Sequence, residues 1–367
     1  MGKTIICILF FQAVLSIQIV CAKKDTTFNS TNCKVIKTID GSSILSTDFR
    51  EFLLKGLYIH NIPGLSIAVI NNKEIVFSEN LGVKNFLKKD SVDSRSLFEA
   101  CSLSKPIFAY FLLDIFNKCG LPLDQPIYLY YMDNEIDYSF DYYKYLTVSN
   151  VLNHSSGWVN WRKSVNERLT FNFKPGTKST YSGEGYQFLK RYLLYRLDIS
   201  DFKLNSYFQE LLVDKLNCSP MSFLINENNL RSLVSSHKVG EKIEVLPNNN
   251  NFYFDAAGGL ITNAEAYANF IISLLNKNNK IADELLNLRK NLPQESDGLF
   301  RSFGFPYKLI NNKIRYFHSG INSGARAYCH FYKTEGFGIV IFANSDNLFS
   351  SGFAKEILEF LKEPYPY

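Results

Sequence analysis

Residues 98–108 read FEACSLSKPIF, an apolar run interrupted by Ser102, Ser104 and Lys105. Pro106 suits the first turn of a helix, where its missing N–H costs nothing, and the run predicts a helix over residues 102–118 that stops before Gly120. Residues three apart share a helix face, which directs Ser102 and Lys105 to one place. A lysine in so apolar a segment has no solvated face to occupy, and its amine needs a polar cavity or a partner. The positive end of a helix disfavours an ammonium and favours an alkoxide, and both effects suit a lysine that takes a proton from a serine. Spacing alone decides little, because Ser200 with Lys203 and Ser235 with Lys238 repeat it. The ordinary use of such a serine is to cap a helix. Cys101, beside Ser102, is expected to be a small buried apolar side chain rather than a rival nucleophile.

Outward from this stretch, STDFREFLLKGLYIHNIPG (46–64) has helical spacing and stops at Pro63-Gly64. LSIAVI (65–70) and EIVFSEN (74–80) read as two strands around a tight turn at Asn71-Asn72. The span 121–285 is mainly helical and loop-rich. Strands return in SFGFPYKLI (302–310), KIRYFHSG (313–320), GARAYCHFY (324–332) and FGIVIFANS (337–345), and the helix SSGFAKEILEFLK (350–362) follows. Strands at both ends with helices between them predict an α+β fold: one antiparallel sheet built from both chain ends, flanked by helices, with a mainly helical lobe inserted.

The first 22 residues, an apolar run after Lys3 that ends in Val20-Cys21-Ala22, look like a secretory signal peptide. The expected organisation is a leader over 1–22, a polar segment over 23–40 and one domain over 41–362, exported to a periplasm or secreted. An uncleaved anchor and a lipid-modified Cys21 are the alternatives. Without the leader, Cys33, Cys101, Cys119, Cys218 and Cys329 remain, odd in number and irregular in spacing, so no disulfide scaffold is expected and one pair is left open. A net charge of +5 over 367 residues, with no basic block and no zinc-type Cys/His spacing, argues against a nucleic-acid partner and a metal site.

FEACSLSK is similar to the F-E-x-G-S-x-S-K signature of the serine β-lactamase and penicillin-binding-protein superfamily, in its class C-like branch of esterases, D-amino-acid peptidases and D,D-carboxypeptidases. IPGLSIAVINNKEIVFSENLGVKN (62–85) resembles the opening hairpin of that branch, LNHSSGW (152–158) its His-Ser-Gly loop, and FKPGTKSTYSGEGYQFL (173–189) its second motif. DAAGGLITNAEAYANF (255–270) is similar to a Gly-Gly helix lead-in, and YFHSGINSGARA (316–327) to the third motif. The likeness runs in order from Phe49 to Lys362. It implies a β-lactamase/transpeptidase-like fold, with Ser102 as nucleophile, Lys105 as general base and Tyr181 as proton relay. The amides of Ser102 and Ile321 are then the oxyanion hole, and His318, Gly320 and Gly183 line the substrate site.

Three positions depart from the pattern. Gly183 stands where the family often has an asparagine, Cys101 where it has glycine, and His318 where β-lactamases carry lysine. A neutral histidine supplies no fixed charge for the carboxylate of a penicillin, and Arg326 is the candidate to restore one. Trp158 and Trp161 are candidates for a cleft wall or for core packing. His60, His154, His237 and His330 are expected to be structural, with His154 shaping its loop. The resemblance thus implies an exported serine hydrolase that forms an acyl-enzyme on an ester or amide, without metal or organic cofactor. Its substrate is a small molecule or peptide, cell-wall fragments included. The alternative is a non-catalytic relative that binds peptidoglycan fragments, peptides or a protein.

Overall fold

The computed structural model describes residues 34–139, 141–164, 166–238, 244–245, 253–288 and 298–365. The leader, the polar stretch up to Cys33 and the Cys33 thiol lie outside these residues.

Two tight turns with left-handed backbone set the hairpins of the main sheet. Asn311 and Asn312 form one, at φ 47° and 63°. The other falls on Asn72 and Lys73, at φ 50° and 65°, one residue later than the paired asparagines predict. Asn71 is kept in the strand because its side chain is used there: Oδ1 accepts from the Lys37 N–H at 2.9 Å and Nδ2 donates to the Lys37 carbonyl at 2.8 Å. This contact also moves the ordered boundary. Val35–Lys37 pairs with Ser43–Leu45 and buries Ile36, so regular structure begins inside the segment expected to be a polar extension.

The main sheet has seven strands: β1 (Gly64–Asn71), β2 (Glu74–Gly82), β3 (Phe300–Arg301), β4 (Pro306–Ile310), β5 (Lys313–Asn322), β6 (Ala325–Tyr332) and β7 (Phe337–Ala343). Their order is β3-β4-β5-β6-β7-β1-β2, antiparallel throughout. The two chain ends meet where β7 pairs with β1, from Ala343 opposite Leu65 to Gly338 opposite Ile70.

Both faces of the central strands are covered, which is why β1 and β7 read as continuous apolar runs. The principal helices are α1 (Ser46–Ile59), α2 (Ser104–Cys119), α3 (Gly183–Leu197), α4 (Ala264–Leu275) and α5 (Phe353–Phe360). Leu65, Ile67, Val69, Ile339 and Ile341 form one core with Phe49 and Leu53 of α1 and Phe353 and Ile357 of α5. The alternate residues Ala68, Ile70, Val340 and Phe342 join α2, α4 and the helical lobe on the other face. The described part of 121–285 holds helices, loops and strands of two residues, such as Met221–Ser222 and Ile261–Thr262. No helix among the described residues is long and apolar enough to cross a membrane. Cys101, Cys119, Cys218 and Cys329 are free thiols.

Beyond α5 lies a buried polar cluster. The Glu363 carboxylate accepts from the Tyr332 hydroxyl at 2.9 Å and lies 3.4 Å from His330 Nε2 and 3.9 Å from Arg315 Nη1, all three charged or titratable side chains being fully buried. Arg315 Nη1 also donates to the Pro364 carbonyl at 2.6 Å. Removing one member of such a set leaves an uncompensated buried charge, so Glu363→Ala is expected to cost about 3–5 kcal/mol of stability. Urea unfolding checks this, and an unchanged midpoint would contradict the role given to Glu363.

Candidate active site

Cys101–Leu103 forms a single 3-10 turn that runs into α2. Cys101 adopts φ 51°, a strained conformation for a residue with a Cβ. Its buried thiol is pushed well up by loss of solvent and by the Glu99 charge, which leaves Ser102 as the accessible nucleophile candidate of the pair. No side chain caps α2. At Ser200, which has the same spacing to its lysine, the hydroxyl does accept the Lys203 N–H at 3.3 Å and caps a helix. The two serines thus have different uses. Lys105 is 1% exposed, with Nζ 3.3 Å from Ser102 Oγ and donating to the Ala257 carbonyl at 2.7 Å. The same Nζ lies 4.7 Å from the ring centre of Tyr181 and 5.8 Å from that of Tyr186. Among the described residues the amine therefore meets a serine, a carbonyl and two aromatic faces rather than a carboxylate.

The Ala257 carbonyl is itself held in place. Asp255 Oδ1 accepts the N–H groups of Ala257 and Gly258 at 2.8 and 3.0 Å and the Gln187 amide of α3 at 2.6 Å. Asn322, next to Ile321, donates to Glu99 Oε2 at 2.6 Å and is 3.4 Å from the Gly258 carbonyl. Glu99 also accepts from Ser236 at 2.8 Å. Burial pushes the Glu99 carboxyl up, and these two bonds draw it back. The Gly-Gly segment thus serves Lys105 through its backbone.

Tyr181 precedes the Ser182 cap of α3, where Ser182 Oγ accepts the Gly185 N–H at 3.0 Å. His154 fixes this approach: its Nδ1 accepts the Ser182 N–H at 3.1 Å, its carbonyl accepts the Thr180 N–H at 2.8 Å, and its ring lies 4.5 Å from that of Tyr181. The Tyr181 hydroxyl is buried with no hydrogen-bond partner among the described residues. His318, 6.1 Å from the Tyr181 ring centre, sits with Nδ1 at 2.7 Å from the Ser319 carbonyl. That bond makes Nδ1 the donor and leaves Nε2 as a buried acceptor lone pair, unpartnered among the described residues. Burial, reinforced by the Lys105 and Arg301 charges and opposed by the Ser319 bond, pushes His318 down to about 3.

These groups open onto a cleft of about 550 Å³ lined by Ser102, Asn160, Trp161, Tyr181, Leu299, Arg301, Pro306, Lys308, Phe317, His318, Ser319 and Ile321. The strand carrying His318 and Ile321 presses against the nucleophile turn at Gly320, where an added Cβ would lie 2.7 Å from Cys101 Cβ, 2.9 Å from the Ala100 carbonyl oxygen and 3.0 Å from Ser102 N. No group of His, Cys, Asp or Glu among the described residues is placed to hold a metal ion.

The β-lactamase family model matches residues 49–361. The chain belongs to the β-lactamase family. No curated protein sequence matches it. Among solved structures it is similar to the octameric penicillin-binding protein homologue from Pyrococcus abyssi, at 16% identity and a TM-score of 0.71, over 87% of this chain and 78% of that one. Family and fold make it a serine-hydrolase-type or penicillin-binding-like protein.

Within this β-lactamase-family chain, Ser102, Lys105, Tyr181, His318, Gly320 and Ile321 are gathered around one cleft. Arg326 is not among the cleft residues. Its Nη1 lies 2.6 Å from Asp346 Oδ1 and donates to the Asn322 and Ala325 carbonyls at 2.6 and 2.8 Å, so it braces the turn after Ile321. Among the described lining residues the cations are Arg301, whose guanidinium lies 5.4 Å from the Tyr181 ring centre, and Lys308. Neither belongs to a motif, and only the pairing of β3 and β4 with β5 brings them there. The tryptophans divide: Trp158 is fully buried against Phe171 and Phe188, whereas Trp161 lines the cleft. Gly183 sits beneath the Trp161 ring.

Because folding holds His318 neutral, the unfolded chain binds the additional proton between its ordinary 6.5 and the folded value of about 3. The contribution is fully present above pH 6.5 and is lost as pH falls through that window. The melting temperature is expected to fall on acidification below pH 6.5, and His318→Gln to flatten part of that slope. Identical slopes in both proteins would contradict a His318 kept neutral by burial.

Proposed function

We propose that this protein is an exported serine hydrolase that cleaves an ester or amide through an acyl-enzyme on Ser102. The observation that carries the reading is the Lys105 amine, fully buried, 3.3 Å from Ser102 Oγ and oriented by the Ala257 carbonyl. An amine held at this distance and oriented by a carbonyl is placed to take the serine proton. Ser102 Oγ attacks the carbonyl carbon as Lys105 takes its proton, and the amides of Ser102 and Ile321 stabilise the oxyanion. Collapse breaks the bond to the leaving group, which leaves with a proton relayed by Tyr181. Water then attacks the acyl ester and returns the proton and the free serine. The leader sequence supports export.

Esters and D-amino-acid or D,D-peptides rank above penicillins in this reading, because a neutral His318 stands where β-lactamases carry lysine.

Ser102→Ala is expected to abolish labelling by a serine-reactive phosphonate, and Lys105→Met to slow it by at least about a hundredfold. Retained stoichiometric labelling at another residue would sink the assignment, and an unreactive wild-type Ser102 would favour a binding protein. A fluorescent penicillin separates the enzyme types: stable acylation indicates a penicillin-binding peptidase, fast turnover a β-lactamase, and no reaction the expected esterase or D-peptidase.

A further inference from the structure

The Trp161 ring occupies the space that a side chain at position 183 would fill. A Cβ on Gly183 would lie 2.4 Å from Trp161 Cζ2, 2.6 Å from Cη2 and 2.8 Å from Cε2. The ring is seated on the glycine backbone, and a larger residue would displace it. Both sequence neighbours of Trp161 are tied to the first turn of α3. Asn160 accepts the Gly183 N–H through Oδ1 at 2.9 Å and the Glu184 N–H through its carbonyl at 3.0 Å. Arg162 donates from N and Nε to Glu184 Oε1 at 3.1 and 2.9 Å and from Nη2 to Glu135 Oε2 at 2.6 Å. The ring is thus a fixed element of the cleft.

It is nonetheless 51% exposed. One cavity that it borders is the Ser102 cleft; the other, of about 440 Å³, is walled by charged groups including Glu135, Arg162, Glu184, Lys190 and Arg191. Trp161 lines both. Aromatic surface held open to water beside a nucleophile gains free energy when a flat apolar group covers it. A pre-positioned ring gives up little conformational freedom in doing so.

We propose that Trp161 is a specificity-determining residue, an aromatic platform that selects substrates with an aromatic or other flat apolar group beside the scissile carbonyl. The inference rests on the serine-hydrolase reading of the same cleft.

The test compares Ser102 labelling by two p-nitrophenyl phosphonates that differ only in a benzyl or a methyl substituent, followed by mass spectrometry on the full mature chain. The expected preference for benzyl is about tenfold or more in the wild type, falling below about threefold in Trp161→Ala and in Gly183→Ala, and largely restored in Trp161→Phe. The same preference in wild type and Trp161→Ala overturns the platform and leaves the hydrolase reading standing. No labelling of wild-type Ser102 by either probe overturns the hydrolase reading. Fluorescence then decides the platform by itself: the chain has two tryptophans and Trp158 is fully buried, so an emission change on titrating phenylacetate reports Trp161. A saturable change that is absent in Trp161→Phe supports the platform, and no change overturns it.

Discussion

The contact between Gly320 and the turn at Ala100–Ser102 is the constraint on which the rest of the site depends. A strand from the end of the chain and a helix start from its first third must approach backbone to backbone. At 2.7 Å from Cys101 Cβ and 2.9 Å from the Ala100 carbonyl oxygen, there is no room for a methyl group on the strand. The seven-stranded sheet delivers this approach by pairing β7 with β1, so that sequence-distant segments share one layer. Once strand and turn are in contact, Ser102, Ile321 and His318 face a common cleft. Glu99 and Asn322, joined at 2.6 Å, fasten the two sides just behind it.

Electrostatics within the site follow from what lines it. Lys105 has a carbonyl and aromatic faces around it, His318 is kept neutral by burial, and Arg301 and Lys308 lie in the cleft wall.

Much of this was legible in the sequence because the signals are local. The apolar run around Ser102, the asparagine turns, the Gly120 stop and the continuous apolar runs of β1 and β7 each follow from backbone preference or burial within a few residues. Motif order then brought Ser102, Lys105, Tyr181 and His318 together. What escaped depends on long-range pairing or on backbone. The Ala257 carbonyl leaves no side-chain signature. The ion pair of Arg326 depends on Asp346, which lies beyond the next strand, and the place of Arg301 and Lys308 in the cleft wall is set only when the strands are aligned. Gly183 read as a missing asparagine; only the fold shows the indole that has taken its space.

The central claim, that close approach at Gly320 assembles the nucleophile site, is tested most directly by measuring the phosphonate labelling rate of Ser102 in Gly320→Ala together with its thermal unfolding. The account predicts a cooperatively folded protein whose labelling is slowed by more than about tenfold, since the added methyl separates strand from turn and breaks the oxyanion geometry. A folded Gly320→Ala protein that labels at the wild-type rate would contradict it.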